Sequence, residues 1–134
     1  MTGRAKPNSA DEKRDSSTTL DVRTKRIYEE AEPGDGYRIL IDHIWPRGIS
    51  KQRARLDEWA PELAPSDELR KWFDHLPAHY ETFAFRYGHE LSTKSTRLEE
   101  LRRRAATGPL TVLYAARDQE RNNAVVLAEI LREA

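Results

Sequence analysis

Two short stretches, Tyr37-Arg38-Ile39-Leu40-Ile41 and Leu110-Thr111-Val112-Leu113-Tyr114, carry the aliphatic and aromatic density of strands. The first ends in an unbroken apolar run, as expected of a strand covered on both faces. Val22 to Tyr28 reads as a third strand, with Val22 and Ile27 apolar and charged residues between them. Pro33-Gly34-Asp35-Gly36 then marks a strong turn.

Helical spacing accounts for most of the rest. Ser50 can cap a helix through Lys51 to Trp59, and Pro61 and Pro65 break it. Ser66 caps the next, whose first turn carries Asp67 and Glu68 and whose Leu69, Trp72 and Phe73 fall on one face. Beyond Pro77, Tyr80, Phe83, Tyr87 and Leu91 recur at three- and four-residue intervals on a third helix. That aromatic stripe suits core packing better than ligand stacking. Thr96 and Glu99 have capping-box spacing, Leu98, Leu101 and Ala105 form a narrow apolar stripe, and Gly108 stands where a helix end favours a left-handed residue. A last helix begins near Asn122, with Val126, Leu127, Ile130 and Leu131 toward the sheet. This order predicts a single small three-layer-like α/β domain over residues 21–134, a short and mostly parallel sheet flanked by helices. The long helical crossover makes the last two strands parallel.

Both strong strands exit into charge. Asp42, Trp45, Pro46, Arg47 and Gly48 follow the first, and Arg117-Asp118 follow the other. Open α/β sheets bind ligands at the carboxyl ends of their strands, so the two exits predict one cleft.

Bulk composition narrows what that cleft can do. In 134 residues Lys plus Arg and Asp plus Glu are both 23, so no chain-wide positive field exists to hold nucleic acid or an anionic membrane. The absence of cysteine removes disulfides, thiolate catalysis and cysteine-based metal centres. No stretch approaches the roughly 20 apolar residues that span a bilayer, and the amino terminus lacks the apolar core of a secretory signal. A cytoplasmic protein without membrane contact is the expectation. Met1 to about Leu20 is rich in Ser, Thr, Lys and Asp and is expected to be a disordered tail. Its alternative, a nucleic-acid-binding arm, is weakened by Asp11, Glu12 and Asp15 among the basic residues.

Three motifs in order, Asp42-x-x-Trp-Pro-Arg-Gly48, Ala64-Pro-Ser-x-x-Leu-Arg70 with Trp72, Phe73 and His75, and Leu113-Tyr-Ala-Ala-Arg-Asp118 followed by Asn122-Asn-Ala124, resemble those of the small bacterial proteins called domain of unknown function family 488. The likeness runs from about Val22 to the carboxyl terminus. It implies a compact α/β fold and a site, with no established reaction. The chain departs from the family pattern at His43, where arginine is usual, and at Arg121, where histidine often precedes the asparagine.

Arg47 offers a planar fork suited to phosphate or carboxylate, presented by the backbone-restricting Pro46 and Gly48. Its alternative is an ion pair with Asp42 or Asp118 that fastens two loops, and Arg117 faces the same choice. One carboxylate, Asp42 or Asp118, would be left as general base or ligand orienter. Of Asn122 and Asn123, one can cap the last helix and the other is spare to position a ligand near its free amides. Trp45 and Tyr114 are the aromatic candidates, Tyr114 as a pocket wall.

Other chemistries fit poorly. His75 and His79 are the one i, i+4 histidine pair, and Pro77 lies between them, so no metal site is expected. Ser66 lacks a nucleophile elbow, and no dinucleotide fingerprint or phosphate loop is present, so no cofactor is expected. Arg102-Arg103-Arg104 is the one concentrated basic run, but successive helical residues point about 100° apart. The leading reading is a cleft for a small anionic ligand, nucleotide-like or phosphorylated, used for binding or for hydrolase or transferase chemistry. The second is a non-catalytic nucleic-acid or protein-interaction module.

Limited proteolysis should remove much of Met1 to Leu20 and leave a folded core. A protected tail would show that this segment docks.

Overall fold

The computed structural model describes residues 20–133, so the expected tail lies outside the described residues apart from Leu20. Four parallel strands form one sheet in the order β1-β4-β2-β3, where β1 is Val22–Arg26, β2 Tyr37–Leu40, β3 Glu58–Trp59 and β4 Leu110–Tyr114. The helices are α1 (Lys51–Ala54), α2 (Asp67–Phe73), α3 (Tyr80–Leu91), α4 (Ser95–Thr107) and α5 (Asn123–Arg132). The expected small parallel α/β domain is the observed one.

Strand alternation divides the interior into two cores. Ile39 and Ile41 of the β2 stretch, with Leu110, Val112 and Tyr114 of β4, face the larger core together with apolar residues of α2 to α5. Leu40 and Leu113 point the other way, onto Ile27, Ile49 and Ala54. Among the described residues that second face is covered by α1, the loop leading to it, Leu56 after it and the Ile27–Tyr28 segment after β1. A buried charge cluster fixes this thin cover. Arg38, 4% exposed, pairs with Asp35 at 2.5 Å and donates to the carbonyls of Ala54 and Arg55, the free carboxyl end of α1. Lys25 meets the same carboxylate at 3.1 Å. Burial alone would raise the Asp35 pKa, but the Glu32 N–H and the two cations outweigh it and hold the group below its ordinary value.

Five local expectations are corrected. The helix expected over Lys51–Trp59 stops after one turn, because Arg55 adopts a left-handed conformation and Glu58–Trp59 pair with Ile39 and Leu40 as an edge strand. The strand expected to Tyr28 leaves regular pairing after Arg26, although the Ile27 N–H still reaches the Tyr114 carbonyl at 2.7 Å. Thr96 and Glu99 form no capping box, since α3 passes through a 3-10 turn at Ser92–Lys94 into α4, which begins at Ser95 and so places Thr96 inside the helix. Gly108 has φ 165°, extended rather than left-handed. On α2, Leu69 and Phe73 are buried, while Trp72 turns outward and stacks on His79 with ring centroids 4.2 Å apart.

Gly36 is required by geometry. It sits at φ 66°, and a Cβ there would stand 2.1 Å from the Pro109 carbonyl oxygen, the group that accepts the Tyr37 N–H. Gly34, two residues earlier, has open space around it. Gly36→Ala should therefore destabilise the fold by more than about 1 kcal/mol, and Gly34→Ala by less than about 0.5 kcal/mol. Chemical denaturation of the two variants checks this, and equal effects would contradict it.

Candidate functional site

Neighbouring strands β2 and β4 leave the sheet in opposite directions. After Leu40 the chain turns to the second face and α1, whereas after Tyr114 it turns to the first face and α5. Between such strands the exits diverge and leave a crevice at their carboxyl ends, the usual ligand position in open parallel sheets.

Asp42 bridges this crevice. The ladder ends with a long Ile41 N–H to Leu113 carbonyl bond of 3.5 Å, and one residue further the Asp42 Oδ2 accepts the Ala115 N–H at 2.9 Å. Its Oδ1 accepts from Asn123 Nδ2 at 3.1 Å, and its backbone carbonyl accepts the Trp59 indole N–H at 2.9 Å. Burial pushes the Asp42 carboxyl above its ordinary pKa, against the lowering effect of the Asn123 and Ala115 bonds.

The crevice holds two hollows that meet along His75, Ala115 and Ala116. The inner one, about 320 Å³, reaches Asp42 and Asn123 and is walled by Phe73, Phe83, Pro65 and Ile44. The outer one is a groove of about 950 Å³ beside Arg26, Tyr28, Arg47, Arg117 and Asp118. Arg47 and Arg117 are exposed and make no ion pair or side-chain hydrogen bond with any other described residue. Arg26 donates through Nε to the carbonyls of Ala115 and Ala116, and its guanidinium lies 4.7 Å from the centre of the Tyr28 ring. The Tyr28 hydroxyl in turn donates to the Arg47 carbonyl at 2.8 Å, which ties the Arg47 loop to β1.

The predicted residues separate into groups. Arg47, Arg117 and Asp118 share the groove, and Asp42, Asn122 and Asn123 share the inner hollow. Asn122, 2% exposed, is spent on structure: its Oδ1 accepts the Val125 N–H as the cap of α5 and its Nδ2 donates to the Asp118 carbonyl. Asp118 is likewise committed. Its Oδ1 accepts the N–H groups of Glu120 and Arg121, which hold its carboxyl below the ordinary range, and Oδ2 meets Arg121 at 3.3 Å. The closed network of Arg47 and Arg117 with Asp42 and Asp118 does not form among the described residues. Tyr114 lines neither hollow. It is 2% exposed in the larger core, because it shares the inward face of β4 with Leu110 and Val112. Trp45 lines neither as well, since its indole donates to the Ile49 carbonyl at 2.8 Å and packs edge-on against Trp59.

Two residues outside the predicted set belong to the crevice. Arg70 lines the inner hollow with a buried Nε–H that has no partner among the described residues, its Nη2 being turned to Asp67. His75 lines both hollows and, like Asp74 before it, has positive φ, 55° after 47°. Two successive left-handed residues without glycine are unusual, and they swing the chain after α2 back across the strand exits. Both residues lie in the second sequence motif, which was a signal of membership and not of position. Among the described residues no group of His, Asp and Glu has metal-binding geometry. No helix among them is long and apolar enough to cross a membrane.

Fold and crevice together define a small, wholly parallel α/β protein with an arginine-lined cleft at a topological switch point. Residues 21–134 match the family described as the inactive DUF488-N3 subclade, and the chain belongs to that family. It is 45% identical over 113 residues to the uncharacterized protein YeaO of Escherichia coli, covering 84% of this chain and 98% of that one. It is 44% identical over 110 residues to the uncharacterized protein Rv3073c of Mycobacterium tuberculosis, covering 82% and 92%. No solved structure matches the chain.

The raised pKa of Asp42 has a definite thermodynamic sign. A carboxyl whose folded pKa exceeds its unfolded value contributes stability that is full below the unfolded value, about 3.9, and is lost as pH rises through the folded one. Asp42→Asn is uncharged throughout, so the stability of wild type relative to this variant should fall as pH rises from about 3.5 to 7. Denaturation midpoints at several pH values check it. A difference that grows in favour of wild type would show that the hydrogen bonds to Asp42 outweigh its burial.

Proposed function

We propose that the cleft binds a small anionic ligand, with a phosphate or carboxylate held between Arg47 and Arg117, and that it does so without bond-breaking chemistry. The observation that carries this reading is the pair of exposed guanidinium groups, unpaired among the described residues, that face one groove at the switch point between β2 and β4. Arginines that served only to brace the loops would be expected to use the nearby carboxylates. Asp118 instead pairs with Arg121, and Asp42 accepts from Ala115 and Asn123.

Hydrolase or transferase chemistry would need a base or a nucleophile. Asp118 is held at low pKa by its own turn, which makes it a weak base, and Asp42 serves as the crosslink between Ala115 and Asn123. The description of the subclade as inactive agrees with a binding role. The nucleic-acid alternative is the weaker reading, because two of the three arginines of the basic run on α4 are engaged by the protein. Arg102 donates to the carbonyls of Ile130 and Leu131 at the end of α5, and Arg104 lies over the Tyr37 ring at 4.2 Å.

Replacing Arg47 or Arg117 with Ala should weaken binding of ribose 5-phosphate or inorganic phosphate by about ten- to a hundredfold, since a charge-assisted contact contributes about 1.5–3 kcal/mol. The melting temperature should stay within a few degrees of wild type. Calorimetric titration and a thermal melt measure both. Unchanged binding with a clearly lowered melting temperature would assign the arginines to bracing instead.

A further inference from the structure

The inner hollow is larger than a bare anion needs, and its chemistry is unlike that of the groove. At about 320 Å³ it falls in the range of small-molecule pockets. Its walls are mainly apolar, with Phe73, Phe83, Pro65 and Ile44 around a few polar groups. Ile44 is 65% exposed, an apolar side chain left at the mouth with nothing described to cover it. Phe73, Phe83 and Pro65 are already buried, so a flat ring with apolar faces would form the missing side of the hollow chiefly by covering Ile44.

The polar groups specify the edge of that ring. Each Asp42 oxygen accepts one hydrogen bond from the protein. A carboxylate offers about four lone-pair positions, so each oxygen can accept once more, a pair of acceptors matched to adjacent N–H donors. Arg70 supplies the opposite character, with a donor that no described residue satisfies. An acceptor entering beside it would relieve that donor after a rotation of the side chain. The negative charge of Asp42 repels a phosphate placed beside it, whereas Arg47 and Arg117 attract one in the groove. The small side chains of Ala115 and Ala116 stand where the two hollows meet and leave room for a connecting group.

We infer that the cleft takes a nucleoside monophosphate, its base in the inner hollow against Asp42 and Arg70 and its phosphate in the groove between Arg47 and Arg117. This rests on the anion-binding reading and adds the identity of the uncharged part. Inorganic phosphate would fill only the groove, and a sugar phosphate has no planar apolar body to occupy the hollow.

The test is calorimetric titration of the full chain with inorganic phosphate, ribose 5-phosphate and the four 5′-ribonucleoside monophosphates. At least one nucleotide should bind about tenfold or more tightly than ribose 5-phosphate. Asp42→Asn should abolish that gain, so that the variant no longer binds any nucleotide more tightly than ribose 5-phosphate, with a thermal melt to check folding. Arg70→Met, which alters a side chain joined among the described residues only to its own helix neighbour Asp67, should reduce the gain as well and serves if the first variant does not fold. If all four nucleotides and ribose 5-phosphate bind equally, the hollow is not a base site and the inference falls while the anion reading stands. If no phosphate compound binds at millimolar concentration, the anion reading itself fails and takes the inference with it. A nucleotide preference that survives both variants would place the base elsewhere and also overturn the inference. The same base and phosphate could be presented by an unpaired nucleotide of a strand, so a tetranucleotide is titrated in parallel. Tighter binding than by the mononucleotide, still dependent on Asp42, keeps the base pocket and identifies the strand as its source.

Discussion

The carboxylate of Asp42 is the point on which the site depends. Strands β2 and β4 are held together by their ladder only as far as Ile41 and Leu113, and beyond it the two chains depart to opposite faces of the sheet. Asp42 carries the pairing one residue further by accepting the Ala115 amide, and it anchors α5 through Asn123 and β3 through the Trp59 indole. Hydrogen bonds to a charged group contribute about 1.5–3 kcal/mol each, so the bonds from Ala115 and Asn123 offset part of the cost of holding a carboxylate in a half-buried place, while burial still raises its pKa. What they fix is the position of Ala115 and Ala116, the common wall of the two hollows.

Around that point the charges are sorted. Buried cations and anions are consumed on the second face, where Arg38, Lys25 and Asp35 hold the short cover formed by α1. At the carboxyl edge of the sheet the carboxylates are engaged and the arginines are left over. Asp118 is closed into a turn with Arg121, and Asn122 caps α5, so neither competes for Arg47 or Arg117. A chain of zero formal net charge can in this way present a locally positive groove. The left-handed pair Asp74 and His75 completes the arrangement by bringing the end of α2 over the crevice.

The sequence carried the strands at Tyr37 and Leu110 clearly, because both are dense in apolar residues and end in charge. It carried the caps at Ser50, Ser66 and Asn122 for the same local reason, a short polar side chain before a helical period. The edge strand Glu58–Trp59 was not legible, being two residues long and defined only by its partners Ile39 and Leu40. Nor was the unbroken passage from α3 to α4, since a good capping pattern at Thr96 and Glu99 goes unused when the preceding helix supplies the chain. At the site, alternation along β4 was enough to send Tyr114 inward with Val112, a consequence of period two that its polar hydroxyl concealed. Arg70 and His75 reach the crevice only through the packing of α2 against the sheet, and no local pattern announces that. Asp42 was legible as a site residue, but its spanning of two strand exits depends on β2 and β4 being neighbours.

The most direct test of the cleft is a two-dimensional amide NMR spectrum of the full chain recorded while inorganic phosphate is added. The account predicts that shifts concentrate on the amides of Arg47, His75 and Ala115 to Asp118, and saturate. Shifts confined to α4 around Arg102 to Arg104, or none at any position up to high millimolar phosphate, would contradict it.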